Sequence, residues 1–178
     1  NANTCNANGI EIAEGMCQLV AQHTGIAPSD VVVASTGVIG QTINIEAIQA
    51  GLPKAADELE SSEAASDSAA RAIMTTDTVK KEVALSCEIG GKTVTMGGIS
   101  KGSGMIHPNL ATMLVFITSD CAISAEMLNK ALKTDVQKSF NMVSVDGDTS
   151  TNDMVTVLAN GMAGNPEITA EGPAFDAF

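Results

Sequence analysis

Apolar residues recur every three to four positions along much of the chain, and this spacing is typical of amphipathic helices. Polar, glycine and proline residues that start or stop helices bound each predicted element. The segment Asn-Ala-Asn at 6–8 can cap the first helix, Gly25 can end it, and Ser124 can cap a later one. The helices are predicted over residues 10–24, 43–51, 53–59, 61–74, 124–143 and 153–164.

Strands are predicted where the apolar period is two or where β-branched residues cluster. The valine-rich residues 29–36 form one such segment. Residues 81–89 alternate apolar and polar positions, Gly-Gly at 90–91 suits a two-residue hairpin turn, and 92–100 return. The apolar run MLVFIT at 113–118 predicts a buried strand. Helices combined with a hairpin and valine-rich strands predict an α/β, or mixed α+β, fold.

Composition narrows the classes of function. The chain has 178 residues, of which 44% are apolar, which suits a folded domain with a sizeable core. It has four Phe but no Tyr or Trp, and its formal net charge is −12. Few aromatic platforms and a strongly negative charge argue against nucleic-acid binding, and the charge also disfavours anionic membrane surfaces. No apolar run has the length of a membrane span.

The cysteines and histidines indicate neither a metal site nor a disulfide framework. No two of the four cysteines form a C-x-x-C pair, and the chain has only two histidines. We therefore expect mostly buried thiols in a reducing, cytoplasmic compartment. The chain begins without Met, and both ends look cut from something longer, so a fragment of a longer protein is expected.

Two polar segments are candidates for chemistry. STGVIG at 35–40 follows a predicted strand, and its backbone amides can converge on an anion or a developing oxyanion, although a plain strand-to-helix connection has the same pattern. SVDGDTSTND at 144–153 resembles a calcium-binding loop but lacks the glycine at the sixth position and the glutamate at the twelfth that an EF-hand requires. We expect this second segment to be a solvated loop.

Thr112 lies where a glycine-rich segment meets an apolar run. GSGMIHPN at 102–109 contains residues that favour a tight, bent backbone, and the buried strand predicted at 113–118 anchors the chain on the other side of Thr112. A strained peptide beside a β-hydroxyl permits an N-to-O acyl shift and self-cleavage. An ordinary loop leading into a strand remains the alternative on pattern alone.

Several blocks, in order, resemble the ornithine acetyltransferase (glutamate N-acetyltransferase) family of arginine biosynthesis. They are NANTCNANG at 1–9, STGVIGQ at 35–41, MTTDT at 74–78, GGISKGSGMIHPNLATML at 97–114 and SVDGDTSTND at 144–153. The resemblance implies the mixed α/β fold of that family and self-cleavage between Ala111 and Thr112. Residues 1–111 would then be the C-terminal part of an α chain and 112–178 the N-terminal part of a β chain, in an assembly of paired α and β chains, a heterotetramer.

The resemblance also implies an activity. Thr112, freed as an N-terminal nucleophile, would take the acetyl group from N-acetylornithine and pass it to glutamate in a ping-pong cycle. The hydroxyl of Thr36 and the amide of Gly37 would hold the oxyanion. Lys101 and either Thr75 or Thr76 would contact substrate. No metal or cofactor is implied, and acetyl-CoA as a second acetyl donor stays open.

Two other classes of function are compatible with these residues. An amidohydrolase or aminopeptidase with an N-terminal threonine would use the same nucleophile but pass the acyl group to water. A non-catalytic ligand-binding or assembly module would keep the Ala111–Thr112 bond intact. Both alternatives make different predictions for the fate of that bond and of the acetyl group.

Overall fold

The computed structural model describes residues 7–106 and 113–178. The chain divides into two compact units, Asn1–Ala69 and Ala70–Phe178. The elements are α1 (Gly9–Thr24), α2 (Ile45–Asp57), α3 (Glu63–Ala72), β1 (Lys81–Ile89), β2 (Lys92–Lys101), β3 (Leu114–Ser119), α4 (Ala125–Lys138), β4 (Met154–Ala159) and α5 (Pro173–Ala177), with short 3-10 turns at Pro28–Asp30 and Phe140–Met142.

The first unit contains α1 and α2 packed together. The helix predicted over 10–24 is confirmed as α1, and it ends where Gly25 adopts φ +75° and donates its N–H to the Ala21 carbonyl over 2.9 Å. Asn8 stands at the cap position, but its side chain makes no capping hydrogen bond. Gly15 faces α2, and a Cβ there would make an ordinary contact of 3.8 Å with Ile45 Cδ1.

The expectation of separate helices at 43–51 and 53–59 is wrong. One helix, α2, runs from Ile45 to Asp57 and contains Pro53 in its interior. The side chain of Asn44 caps it by accepting the Ala47 N–H over 3.0 Å. Proline removes one intrahelical hydrogen bond, but the cap and the contact with α1 stabilise the helix on either side of it.

The strand predicted at 29–36 does not form within the described residues. Pro28–Asp30 makes a 3-10 turn, and Val31 follows with extended angles, φ −97° and ψ 128°. Valine-rich sequence sets an extended backbone, but a strand also needs a neighbouring ladder of N–H and C=O groups. The side chain of Val32 is accordingly 57% exposed.

The second unit is built on one sheet with strand order β1-β2-β3-β4. The predicted hairpin is confirmed: β1 and β2 pair antiparallel from Lys81↔Ser100 to Ile89↔Lys92, and Gly90 and Gly91 turn with φ of +59° and +75°. Strand β3 pairs antiparallel with β2 and parallel with β4. The parallel pair requires a crossover, which α4 provides.

The helix predicted at 153–164 is wrong, because Met154–Ala159 is strand β4. Val155, Thr156 and Val157 are β-branched and suit a pleated ladder better than a helix, and β3 offers its free edge in register from Leu114↔Met154 to Ser119↔Ala159. The helix predicted at 124–143 is shorter than expected. It ends at Lys138 and is followed by the 3-10 turn Phe140–Met142.

The core of this unit lies at the hairpin end of the sheet. It contains Ile89, Val94, Cys121, Met127 and Ile168. The alternation predicted along β1 leads to burial only at the hairpin end, where Cys87 is half-buried and Ile89 is buried, whereas Val83 and Leu85 are 63% and 52% exposed. Burial raises the pKa of the Cys121 thiol, which agrees with a structural role for that cysteine. Within the described ranges, none of the helices combines the length and apolar character needed to traverse a bilayer.

The two turn glycines are expected to differ sharply in their tolerance of alanine. A Cβ on Gly90 would meet Pro166 Cδ at 2.7 Å, whereas one on Gly91 would meet nothing within 4 Å. Both substitutions carry the left-handed backbone penalty of about 1–2 kcal/mol, so Gly91→Ala isolates that penalty and Gly90→Ala adds the clash. Chemical denaturation should rank Gly90→Ala as the less stable. Equal stability of the two variants would contradict the packing of Gly90 against Pro166.

Candidate active site

Residues 102–113 connect two adjacent antiparallel strands, β2 and β3. Lys101 ends β2 and pairs with Leu114, which begins β3 and pairs in turn with Met154 of β4. Lys101 is buried, at 4% exposure, so it is not a solvated loop lysine. The sheet register therefore places this buried cation opposite Leu114, which follows position 112 by two residues along the chain.

Asp77 fixes the start of this connecting segment. Its Oδ1 accepts the Gly102 N–H over 2.8 Å and the Lys81 Nζ over 2.6 Å, and its Oδ2 accepts the Thr75 N–H over 3.3 Å. Burial by itself would raise the pKa of Asp77, but the hydrogen bonds from Lys81, Gly102 and Thr75 and the Lys81 charge outweigh burial, and the pKa falls to about 2. The carboxyl is therefore ionised and joins the predicted Thr-Thr-Asp and Lys-Gly-Ser-Gly blocks.

The two candidate threonines, both in the Thr-Thr-Asp block, are held in different ways. The hydroxyl of Thr76 shares a 2.6 Å hydrogen bond with that of Ser103. Thr75 is held through its backbone N–H by Asp77. Both side chains are exposed. The structure thus brings both candidates and Lys101 to one edge of the sheet.

Asp146 holds the middle of the segment. Its carboxylate accepts the Met105 N–H over 2.7 Å and the Ile106 N–H over 3.0 Å, and Val145 N–H donates to the Ile106 carbonyl over 2.9 Å. The hydrogen bonds from Met105 and Ile106 lower the pKa of Asp146. Met105 is held at φ +56°, an uncommon angle for a residue with a side chain.

Asp153 holds the other end. Its Oδ1 accepts the Met113 N–H over 3.1 Å, while the Met113 carbonyl accepts the Met154 N–H over 2.9 Å. Its Oδ2 is buried and makes no hydrogen bond within the described residues. Burial raises the pKa of Asp153, partly offset by the nearby Ser150 hydroxyl, the Met113 N–H and the Lys101 charge.

Residues 144–153 form a loop that is exposed over 144–149, as expected from the sequence, and two of its aspartates also make it a clamp on neighbouring backbone. The clamp binds backbone groups on both sides of 107–112 through Asp146 and Asp153, and Ser150 and Asn152 inside it are 6% and 7% exposed. The roles of Asp77, Asp146 and Asp153 were missed by sequence reasoning. A dense run of Asp, Ser, Thr and Asn, whose side chains bind backbone amides, was the available signal.

The remaining predicted residues are those of the oxyanion pair and the cleavage bond. Thr36 and Gly37 belong to the first compact unit, where Thr36 is half-buried and Gly37 adopts φ +155°. Ala111 and Thr112 lie outside the described residues. Over residues 7–106 and 113–178, no group of three His, Cys, Asp or Glu side chains could hold a metal ion.

A cavity of about 330 Å³ lies beside the clamp, between α4 and β4. Met113 and Asp153 line one side of it, and Lys133, Val136 and Phe140 line the other. Its wall is mainly apolar, with one carboxyl and one ammonium group. It is open to solvent and lies directly beside Met113, the residue that follows position 112.

The chain resembles a known protein family over its whole length. The model of the ArgJ family matches residues 1–178. The chain belongs to the ArgJ family. The match covers every block that suggested the ornithine acetyltransferase resemblance, and it confirms that resemblance.

Relatives in the ArgJ family are close in sequence but longer. The arginine biosynthesis bifunctional protein ArgJ of Symbiobacterium thermophilum is 53% identical over 179 residues, covering 100% of this chain and 44% of that protein. The protein of the same name from Geobacillus stearothermophilus is 48% identical over 178 residues, covering 99% and 43%. The chain therefore spans less than half the length of these relatives.

A solved structure supports the fold. The crystal structure of the arginine biosynthesis bifunctional protein ArgJ from Bacillus halodurans aligns with a TM-score of 0.53 and 37% identity, covering 61% of this chain and 55% of that one. The predicted mixed α/β class, with helices packed around a sheet, is confirmed by this neighbour and by the four-stranded sheet.

Proposed function

We propose that the protein to which this chain contributes transfers an acetyl group from N-acetylornithine to glutamate after cutting itself between Ala111 and Thr112. The observation that carries the proposal is the clamping of backbone amides on both sides of 107–112 by Asp77, Asp146 and Asp153. Attack of the Thr112 hydroxyl on the preceding peptide bond is faster when the two groups are held close together. We therefore expect the backbone on both sides of that bond to be fixed by hydrogen bonds.

Self-cleavage begins with attack of the Thr112 hydroxyl oxygen on the Ala111 carbonyl carbon. The ester forms as the C–N bond to Thr112 breaks, and the hydroxyl proton passes to the departing nitrogen, which becomes the free α-amine of Thr112. Water then hydrolyses the ester, leaving a carboxylate on Ala111 and a free hydroxyl on Thr112. The two products stay joined, because β2 on one side and β3 on the other pair from Met96↔Ser119 to Lys101↔Leu114. Paired α and β chains assembling as a heterotetramer are consistent with such a shared sheet.

Acetyl transfer then uses the same oxygen. The Thr112 α-amine, with an ordinary pKa near 8, takes the hydroxyl proton as the oxygen attacks the acetyl carbon of N-acetylornithine. The Thr36 hydroxyl and the Gly37 N–H hold the oxyanion. The ammonium returns its proton to the departing ornithine nitrogen, leaving an acetyl ester. The glutamate amine attacks this ester and the proton returns to Thr112 Oγ.

The substrate would bind at the end of strand β2, where Lys101 lies. Its buried ammonium suits the α-carboxylate of an amino-acid substrate as a point charge. Thr75 or Thr76 beside it supplies a hydroxyl. An assay with acetyl-CoA and glutamate as the two substrates tests whether acetyl-CoA is an additional acetyl donor.

Intact-mass measurement of the full-length protein containing this chain tests the proposal. We expect two chains, the second beginning at Thr112. Incubation with N-acetylornithine should add one acetyl group to the Thr112 peptide, and glutamate should discharge it faster than water does. Discharge by water at the same rate would indicate the amidohydrolase instead. An uncut chain without an acetyl adduct would indicate a non-catalytic module and end the proposal.

Replacing Lys101 by methionine is expected to raise the KM for N-acetylornithine by about 10- to 100-fold, the value of a lost charge-assisted hydrogen bond of roughly 1.5–3 kcal/mol. Methionine keeps much of the side-chain length in this buried position. Lys92→Met, at the exposed start of the same strand, is the matched control. Steady-state kinetics on both variants decide the matter, and an unchanged KM in Lys101→Met would exclude a carboxylate-binding role.

A further inference from the structure

Strand β1 forms one edge of the four-stranded sheet. Among the described residues its only neighbouring strand is β2, and the register between the two runs from Lys81↔Ser100 to Ile89↔Lys92 without a bulge. The five residues at the centre of β1, 83–87, carry no charge, and the strand contains no proline. Proteins normally protect an edge of this length with charges, proline or a bulge, so we expect another chain to pair with it.

The hydrogen bonds of β2 show which backbone groups of β1 face away from the sheet. Thr95 lies opposite Ser86; its N–H donates to Asp120 Oδ1 over 2.7 Å, and its carbonyl accepts the Asp120 N–H over 3.2 Å. Because these groups of Thr95 point away from β1, the N–H and C=O of Ser86 point away from β2, toward the free side of the edge. The alternation along an antiparallel strand gives the same orientation to Glu82, Ala84 and Glu88.

The side chains at the centre of this edge are apolar and exposed. Val83 and Leu85 project from the same face of the sheet, since they are two positions apart, and they are 63% and 52% exposed. Farther along that face Cys87 is half-buried and Ile89 is buried, in the core against which Phe175 of α5 packs. The uncovered part of the face therefore lies beside the free backbone groups, and it suits apolar side chains of a partner.

The sequence of β1 is complementary to itself in one antiparallel register. When Ala84 of one copy lies opposite Ala84 of a second copy, Val83 of each lies opposite Leu85 of the other. The outward N–H and C=O of the two Ala84 residues then bond to each other. A two-fold axis generates each of the other pairs twice, so every favourable contact is doubled.

Charge favours this register over the one centred on Leu85. With Ala84 on the axis, Lys80 of each copy lies opposite Glu88 of the other, and opposite charges across two strands stabilise the pairing. With Leu85 on the axis, Glu82 would lie opposite Glu88, where like charges repel. The charged residues at the two ends of β1 thus specify a second copy of this chain in one alignment.

We propose that β1 pairs antiparallel with β1 of a second copy across a two-fold axis at Ala84, which joins the two sheets into one continuous sheet. The inference goes beyond the proposed function, because it depends neither on self-cleavage nor on acetyl transfer. The pairing satisfies the outward backbone groups of β1 and covers Val83 and Leu85 of both copies.

Ala84→Cys in the full-length protein tests the register directly. Residues that exchange both backbone hydrogen bonds have Cα atoms about 5.5 Å apart, which suits a disulfide, so mild oxidation should link position 84 of the two copies. Ser86→Cys is the matched control, because the two copies of position 86 would be about 13 Å apart, too far to bridge. Mass mapping of linked peptides identifies the bond. No link at position 84, or equal linking at position 86, would overturn the proposal.

Exchange of charges tests the same interface without a cross-link. Lys80→Glu and Glu88→Lys each replace two attractive pairs by two repulsive ones, so each should raise the dissociation constant of the two copies by about 10- to 100-fold. The double variant restores opposite charges and should return to within about threefold of wild type. Analytical ultracentrifugation measures these constants. A monomeric wild type, or a double variant as weak as the single ones, would contradict the pairing.

Ala84→Pro removes an N–H of the free edge and leaves the hydrogen bonds between β1 and β2 in place. We expect it to abolish association at concentrations where wild type is paired, with an unchanged circular dichroism spectrum. If other residues of the same polypeptide cover β1 instead, the variant should lose stability without any change in its state of association. That result, or association equal to that of wild type, would refute the second copy as the partner of this edge.

Discussion

Thr112→Ala is expected to leave one uncut chain and to remove acetyl transfer altogether. Alanine lacks the hydroxyl oxygen that attacks the Ala111 carbonyl, so no ester forms and no free α-amine appears. The same oxygen would carry the acetyl group, so kcat should fall by about 10⁴-fold or more, as when other covalent nucleophiles are removed. Intact mass and an assay of acetylglutamate formation measure the two losses in one preparation.

Two further variants make this result specific. Thr112→Ser keeps a hydroxyl and should still be cut, at a reduced rate, because only a methyl group is lost. Thr118→Ala removes a hydroxyl from an exposed position on the adjoining strand β3 and should leave both cleavage and transfer intact. A Thr112→Ala protein that is cut at the same bond, or that transfers acetyl groups, would refute Thr112 as the nucleophile.

Asp77→Ala is expected to have the largest structural effect of any single change near the site. It leaves the Gly102 N–H without its buried acceptor and removes the partner of Lys81. The side chain of Asp77 is 0% exposed and that of Lys81 is 41% exposed, so solvent can reach the Lys81 ammonium, and the main loss is the buried bond to the Gly102 N–H. The lowered pKa of the Asp77 carboxyl corresponds to about 2 kcal/mol of the free energy of unfolding. The Gly102 N–H, left without an acceptor in the variant, adds a loss of about 1 kcal/mol or more.

The sign of its pH dependence follows from the lowered pKa. Asp77 has a folded-state pKa of about 2 against an ordinary value of 3.8, so its stabilisation is fully present above about pH 4. That stabilisation is lost as the pH falls from about 4 to about 2. The difference in stability between wild type and Asp77→Ala should shrink over this window and be constant at neutral pH.

Hydrogen exchange reports this effect locally. At neutral pH the peptide containing Gly102 should exchange about a hundredfold faster in Asp77→Ala, which is the equivalent of about 3 kcal/mol. We also expect kcat/KM to fall by about 10²-fold, since Asp77 sets the position of Thr75 relative to Gly102 and the neighbouring Lys101. Asp135→Ala, at an exposed position of α4, is the control. Unchanged protection of Gly102 would show that Asp77 does not hold this loop.

Local sequence features were enough to predict the elements that depend on a few neighbouring residues. The glycine pair at 90–91 requires positive φ and predicted the hairpin, Ser124 and Gly25 predicted helix ends, and the blocks around 97–114 identified the family. Sequence periodicity gave wrong predictions where strand formation depends on a neighbouring strand to pair with. Valines at 31–33 formed no strand within the described residues, whereas Val155 and Val157 became a strand because the edge of β3 was available.

The choice of side chains that bind the backbone on both sides of 107–112 depends on the tertiary structure. Asp77, Asp146 and Asp153 are separated by up to 76 positions along the chain, yet each accepts backbone N–H groups of residues 102–113. A carboxylate that binds a distant amide leaves no periodic trace in sequence, because the bond depends on how strands are ordered and registered. The pairing of Lys101, Leu114 and Met154 in one row is what brings these aspartates to the same edge.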